Sequence, residues 1–429
     1  MSATATTPPP APGKGTPRPS APASGSPGPK APWQRWISPL SSLRLTVVLL
    51  ALGILVTFFG TLAQTEDGLY IAQQKYFRSW ASVWSPHDPG WKWIKIPLPG
   101  GYLLGTLLVL NLLAAHTTRF KPTWRKSGIF LTHLGVMMLL LGQLATDLFS
   151  RESRMSFAEG EWRNYSEDFQ KTELVFLGDS QDPSLDLVIA IPDSLLARGG
   201  EIRHPQLPFT VRIREFAENA AIRSRAPMVD TNRAPAATQG VGTKAVFSPA
   251  PPVRTMNDRN LPGTVVELAD ANGASLGTWL FGLVLNEQPV ESGGKTWRVA
   301  LRPTRYYQPF SVKLLKTTHE VYTGTRTASD PRGIPRNFAS RVELERPATG
   351  EKREVDISMN QPLRYGGLTF YQHQMDREEV ARGGRGLSVL QVVKNPSWIA
   401  PYFGTVFVLA GLLVQFLIHL IGFLRKRTA

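Results

Sequence analysis

Gly128-Ile-Phe-Leu-Thr-His-Leu-Gly-Val-Met-Met-Leu-Leu-Leu-Gly-Gln-Leu-Ala-Thr146 has no formal charge and no proline. Its length is close to the ~20 residues that a helix needs to cross the hydrocarbon core of a bilayer. It reads as a membrane-spanning helix with one ionisable ring, His133. Working outward, three more runs have the same character: Leu45 to Ala63, Leu98 to Ala115 and Ile399 to Phe423. Pro99, Gly100 and Gly101 shorten the helical part of the second. Its leucines, Leu103, Leu107, Leu108, Leu110, Leu112 and Leu113, leave no polar face of the kind a surface helix requires.

The formal charge of +15 would suit a nucleic-acid partner if it were spread over a folded surface. It is not spread. Residues 151–395 are nearly balanced, and the excess sits in three short segments without Asp or Glu. Lys14, Arg18, Lys30, Arg35 and Arg44 precede the first apolar run; Arg119, Lys121, Arg125 and Lys126 join the second to the third; Arg425, Lys426 and Arg427 follow the last. If all four runs cross, these segments share one side, as the positive-inside rule asks of a cytoplasmic face. The charge is then topogenic and no nucleic-acid partner is expected. The loop from Gln64 to Pro97 and the region 151–395 fall on the other side.

The expected organisation is an α+β membrane protein with four transmembrane helices, three N-terminal and one C-terminal, and a large extracytoplasmic β-rich domain between helices 3 and 4. Residues 1–32 are a Pro/Ala-rich tail expected to be disordered. Residues 33–63 hold the first helix and an interface segment with Trp33 and Trp36; 64–97 form a loop with Trp80, Trp84, Trp91 and Trp93. The second helix is 98–116, a basic loop 117–127, the third helix 128–147, the domain 148–396, the fourth helix 397–423 and a basic tail 424–429. The first run is too long for a signal peptide and lacks a small-residue cleavage pattern, so an anchor is expected. The chain has no cysteine, which rules out disulfides, thiol redox work and thiolate metal ligands within it.

In the domain, Phe209-Thr-Val-Arg-Ile-Arg-Glu-Phe216, Val265 to Leu268 and Ser388 to Val393 alternate with a period of two, and Lys295 to Tyr322 is a long run rich in Trp, Val, Leu, Tyr and Phe. An antiparallel system, such as a sandwich, is expected. Asn219 to Arg259 has few large apolar residues and several prolines, which predicts a long excursion or a mobile loop.

Seven histidines are present. His133 and His419, in Phe416-Leu-Ile-His-Leu-Ile421, each lie about six residues from a basic cluster, which predicts a similar depth near the cytoplasmic side. An ionisable group there usually faces a partner or a cavity, and neutral imidazole is a common axial ligand of haem iron. A bond to a neighbouring helix is the other reading, and both stay open on the residues alone. His116, beside Thr117 and Arg119, reads as an interface residue. His87, His204, His319 and His373 show no metal-ligand spacing, and no nucleophile with a base is visible.

Particular strings go further. The helix quoted above resembles the histidine-bearing helix of the ResB family of cytochrome c biogenesis proteins. Val321-Tyr-Thr-Gly-Thr325, Pro335-Arg-Asn-Phe-Ala-Ser-Arg-Val342, Met359-Asn-Gln-Pro-Leu-Arg-Tyr-Gly-Gly-Leu-Thr-Phe-Tyr-Gln372, Val392-Val-Lys-Asn-Pro-Ser-Trp398 and Ser38-Pro-Leu-Ser-Ser-Leu-Arg44 are similar to strings of the same family. His373-Gln374-Met375 departs from its pattern. The resemblance implies a system II component in the bacterial cytoplasmic (inner) membrane, with both termini cytoplasmic, that carries haem b across and presents it to apocytochrome c. It implies a CcsA- or ResC-type membrane partner, a thioredoxin-like thiol reductase nearby, and a shared-catalysis or non-catalytic part in a haem lyase, with no catalytic residue assigned here. It makes His133 the first candidate ligand to haem iron and His419 the second. A scaffold that stabilises the partner and binds no haem is the alternative. Gly366-Gly367 between Tyr365 and Phe370 predicts a tight hairpin turn.

Overall fold

The computed structural model describes residues 39–86, 88–118, 123–180, 186–226, 228–230, 234–253, 259–322, 335–375 and 385–428. The expectations for the tail 1–32, for Trp33, Arg35, Trp36 and Ser38, for His87, for Arg119 and Lys121 and for Thr323 to Thr325 lie outside the described residues.

Four helices are long and apolar enough to cross a membrane: Leu43–Asp67 (α1), Gly101–Thr118 (α2), Ser127–Phe149 (α3) and Ala400–Thr428 (α4). They pair differently. On α3, the buried glycines 128, 135 and 142 recur every seventh residue, as do 404 and 411 on α4. A Cβ added at Gly135 would lie 2.6 Å from the Gly404 carbonyl oxygen and 2.7 Å from the Val408 nitrogen, and one at Gly128 would lie 2.6 Å from the Gly411 oxygen. The two backbones are therefore in direct contact. Small residues at seven-residue spacing allow that approach between membrane helices, where tight packing replaces the hydrophobic effect.

Helices α1 and α2 meet through larger side chains, among them Leu49, Val56 and Leu104. Asn111 adds a polar clasp: it accepts a hydrogen bond from Thr46 Oγ1 at 2.6 Å and donates to the carbonyls of Leu40 and Ser42. Beyond α1 the chain forms short helical turns and a hairpin of β1 (Ala81–Trp84) and β2 (Ile96–Pro99), which leads into α2.

The strands follow α3 without a break. β3 (Arg151–Ala158) and β18 (Leu387–Lys394) are paired from Arg151↔Lys394 to Leu387↔Ala158, so the α3–α4 contact continues directly into the sheet. The main sheet has ten strands, all antiparallel, in the order β15-β14-β13-β4-β3-β18-β17-β16, with β12 on β13 and β5 on β4. Its members are β4 (Trp162–Asp179), β5 (Asp186–Pro192), β12 (Gln288–Ser292), β13 (Lys295–Val321), β14 (Pro335–Arg346), β15 (Glu351–Ser358), β16 (Leu363–Tyr365) and β17 (Leu368–Met375). β6 (Gly200–Ile202), β7 (Thr210–Ala217), β10 (Gly263–Ala269) and β11 (Ser275–Gly282) form a second sheet.

The long strand β13 serves two cores. Trp297, Val299 and Leu301 pack with Phe176, Val211, Val266 and Phe281 between the two sheets, whereas Phe310, Val312 and Leu314 pack with Phe157, Val342, Leu344 and Phe370 where the large sheet folds over itself. A register shift against β4 between Tyr307 and Val312 separates the halves. The period-two strands and the run from Lys295 thus form the expected antiparallel layers.

One expectation is corrected. The described part of Asn219 to Arg259 is not a loop without structure. It contains a hairpin of β8 (Ala220–Ser224) and β9 (Ala245–Pro249), a helical turn at Gly240–Lys244, and a small core of Ala237, Ala245, Val265 and Leu280. Small side chains packed on the edge of the second sheet replace the large ones whose absence suggested mobility.

The Gly366-Gly367 turn is as expected. Tyr365 pairs with Leu368, and the glycines take φ of 58° and 76°. Both values are positive, as a two-residue type I′ hairpin requires.

Candidate functional site: the histidine pair between two helices

The hairpin of α2 and α3 brings His116 and His133 together. Their ring centroids are 5.0 Å apart with the planes at 89°, an edge-to-face contact, and Phe130 lies beside His116 at 5.9 Å. His116 Nδ1 is 2.9 Å from the Leu112 carbonyl oxygen. A carbonyl only accepts, so Nδ1 is the donor in this contact. His133 Nδ1 is buried and has no hydrogen-bond partner among the described residues. Most buried polar atoms do have one, so this nitrogen calls for an explanation.

The same two helices meet again at the end that faces the β-domain. Asp147 on α3 accepts a hydrogen bond from Tyr102 on α2 and pairs with Arg78 Nε at 2.6 Å. Tyr102 opposite Asp147 and His116 opposite His133 belong to one antiparallel register, about 21 Å apart at 1.5 Å per residue. Between these fastenings the helices stand apart. A cavity of about 620 Å3 opens there, lined by Gly105, Thr106 and Val109 on α2 and Leu140, Leu141 and Leu144 on α3.

His419 is elsewhere. It is exposed on α4, with Nε2 2.9 Å from Gln415 Nε2. The close approaches of Gly128 to Gln415 and of Gly135 to Val408 fix the antiparallel register, which places position 410 level with His133. His419 is nine residues beyond, about 13 Å towards the free end of α4. The expected similar depth of His133 and His419 is thus corrected: equal distance from a basic cluster does not mean equal height, because α4 extends further than α3 at that end. The neighbour that does sit level with His133 is His116, which the sequence reading left at the interface. One signal for it was available: both histidines lie within two helical turns of the basic connection, His116 three residues before Arg119 and His133 seven after Lys126.

Among the described residues no group of three or more His, Asp or Glu is placed to hold a metal ion. The chemistry on offer is that of neutral imidazole inside an apolar helix pair.

Four helices long and apolar enough to cross a membrane, together with an antiparallel β-domain, mark a membrane protein. Residues 289–383 match the model of the ResB-like family, the family that the motifs resemble and one linked to cytochrome c biogenesis. The matched segment runs from β12 past β17 and includes the strings at Pro335 to Val342 and Met359 to Gln372. No curated protein matches the chain.

Proposed function

We propose that the chain is a membrane component of cytochrome c biogenesis that binds haem b through His133 on its way to apocytochrome c. The observation that carries this reading is the buried His133 Nδ1 without a partner, in a chain with a ResB-like segment. A neutral imidazole nitrogen is a suitable axial ligand, and a second ligand comes from His116 or from a CcsA- or ResC-type partner. His419, on the outer surface of α4, is placed to serve a partner subunit rather than the same iron as His133.

Positive charge near Arg44, Arg125, Lys126 and Arg425 to Arg427 supports reading those ends as the cytoplasmic face of the inner membrane. The β-domain, inserted between helices 3 and 4, is then extracytoplasmic, where an apocytochrome and a thioredoxin-like reductase would meet it. When bound, haem supplies the vinyl groups that take up the cytochrome thiols. This chain's own contribution is to hold a ring nitrogen ready in a water-poor helix interface.

The test is co-purification with a CcsA-type partner. A Soret band that is lost in His133→Ala, with cytochrome c maturation lost in parallel, is the expected result. An unchanged band and undiminished maturation overturn the ligand role and leave the scaffold reading.

A further inference from the structure

Where the sheet leaves the membrane, Gln391, Arg154, Glu167 and Arg305 face one another in a row across β18, β3, β4 and β13. Directly paired residues project to the same face, so their side chains share one surface. The acids of that surface are already engaged. Glu167 Oε1 accepts from Arg305 Nε at 3.0 Å, and Glu152 Oε2 accepts from Gln391 Nε2 at 3.0 Å. Asp168, next to Glu167 and so turned to the opposite face, accepts from the backbone N–H groups of Gln170 and Lys171 at 2.9 Å each and from the Tyr306 hydroxyl at 2.7 Å.

The cations are stacked on rings. Arg305 lies over Tyr165 at 4.2 Å, and Arg151, on the opposite face, lies over the Tyr306 ring at 3.6 Å. Arg154 lies over Phe169 at 3.8 Å, and among the described residues it has no carboxylate partner. Arg259 reaches the same place from the connection before β10. Its Nε and Nη2 are buried and make no hydrogen bond among the described residues. It feels the charges of Glu167, Asp168 and Arg154, and burial is the larger influence, pulling its pKa below the usual value. Burial does the same to Arg154, and His373 is held below the ordinary imidazole value by burial and then by Arg154. A desolvated guanidinium without an anion is costly, and its planar fork matches carboxylate and phosphate oxygens.

We propose that Arg154 and Arg259 form a binding site for an oxyanion, a phosphate or carboxylate group, on the face of the β-domain next to the membrane. A cavity of about 590 Å3 lies nearby, lined by Gln170 and Asn260, the residues after Phe169 and Arg259, and touching Tyr70 and Ile71 beyond α1. Arg154 is five residues from the end of α3, at most about 17 Å of strand from the membrane boundary. A lipid headgroup and a soluble anion are therefore both within reach as sources of the oxyanion.

The probe is inorganic phosphate, titrated by calorimetry into the full chain in phosphatidylcholine nanodiscs. Wild type binds, Arg154→Gln and Arg259→Gln each weaken binding about tenfold or more, as loss of a charged hydrogen bond implies, and Arg151→Gln, whose cation is stacked on Tyr306, changes it little. In discs containing phosphatidylglycerol, loss of phosphate binding identifies the lipid headgroup as occupant, and retention identifies a soluble oxyanion. Arg259→Met in phosphate-free buffer keeps or raises Tm, because it removes a desolvated charge whose Nε and Nη2 make no hydrogen bond among the described residues. Absence of phosphate binding to wild type, binding indifferent to both Gln variants, or a fall in Tm for Arg259→Met shows that the arginines are structural and overturns the site.

Discussion

The contact between α3 and α4 and the contact between α2 and α3 involve the same helix and are built on opposite plans. Against α4, the helix presents glycines, and the backbones touch along its length. Against α2, it is held by Asp147 at one end and His133 at the other, with a cavity between. The first contact continues into paired strands β3 and β18, so α3, α4 and the large sheet form one continuous structure. The second can widen without breaking a strand. A ligand that must enter and leave is better served by the second kind of interface.

Enlarging a glycine on each side of α3 separates the two plans. Gly135→Leu drives atoms into the Gly404 and Val408 backbone, where nothing flexible can give way. A loss of about 3 kcal/mol or more in a reversible unfolding assay in bicelles is expected, at the top of the usual range for overpacking. A loss below 1 kcal/mol would mean that the backbones are not in contact.

Asp147→Asn acts on the fastening. It removes the charge partner of Arg78, whose side chain is 42 % exposed, so the effect is smaller than for a fully buried pair. A loss of about 1–2 kcal/mol is expected. Coupling to Tyr102→Phe in a double-mutant cycle checks that the hydroxyl and carboxylate act on each other.

Gly105→Ala should be the mildest. An added Cβ at Gly105 meets nothing within 4 Å, and alanine is the better helix former. Stability should rise by a few tenths to about 1 kcal/mol. A clear loss of stability would mean that α2 and α3 close on each other and that the cavity is not a standing feature.

Much of this architecture was legible in the amino-acid order alone. Uncharged runs of spanning length define the four helices because the bilayer demands apolar side chains and internal backbone hydrogen bonds. Period-two alternation marked strands such as β7 and β18, and Gly366-Gly367 marked its hairpin, since these signals are local. His133 stood out because an ionisable ring inside an apolar helix is conspicuous wherever the helix packs.

Which residue stands beside it was decided by tertiary structure. His116 rather than His419 reaches the level of His133, because the α2–α3 register is held by Tyr102 and Asp147, while glycine contacts and the greater length of α4 set the α3–α4 register. Charge spacing along the chain contains neither. The same holds for Arg154 and Arg259, more than a hundred residues apart in the chain. Only the pairing of four strands brings Arg154 into line with Glu167 and Arg305, and only the packing of the connection before β10 buries Arg259 beside them.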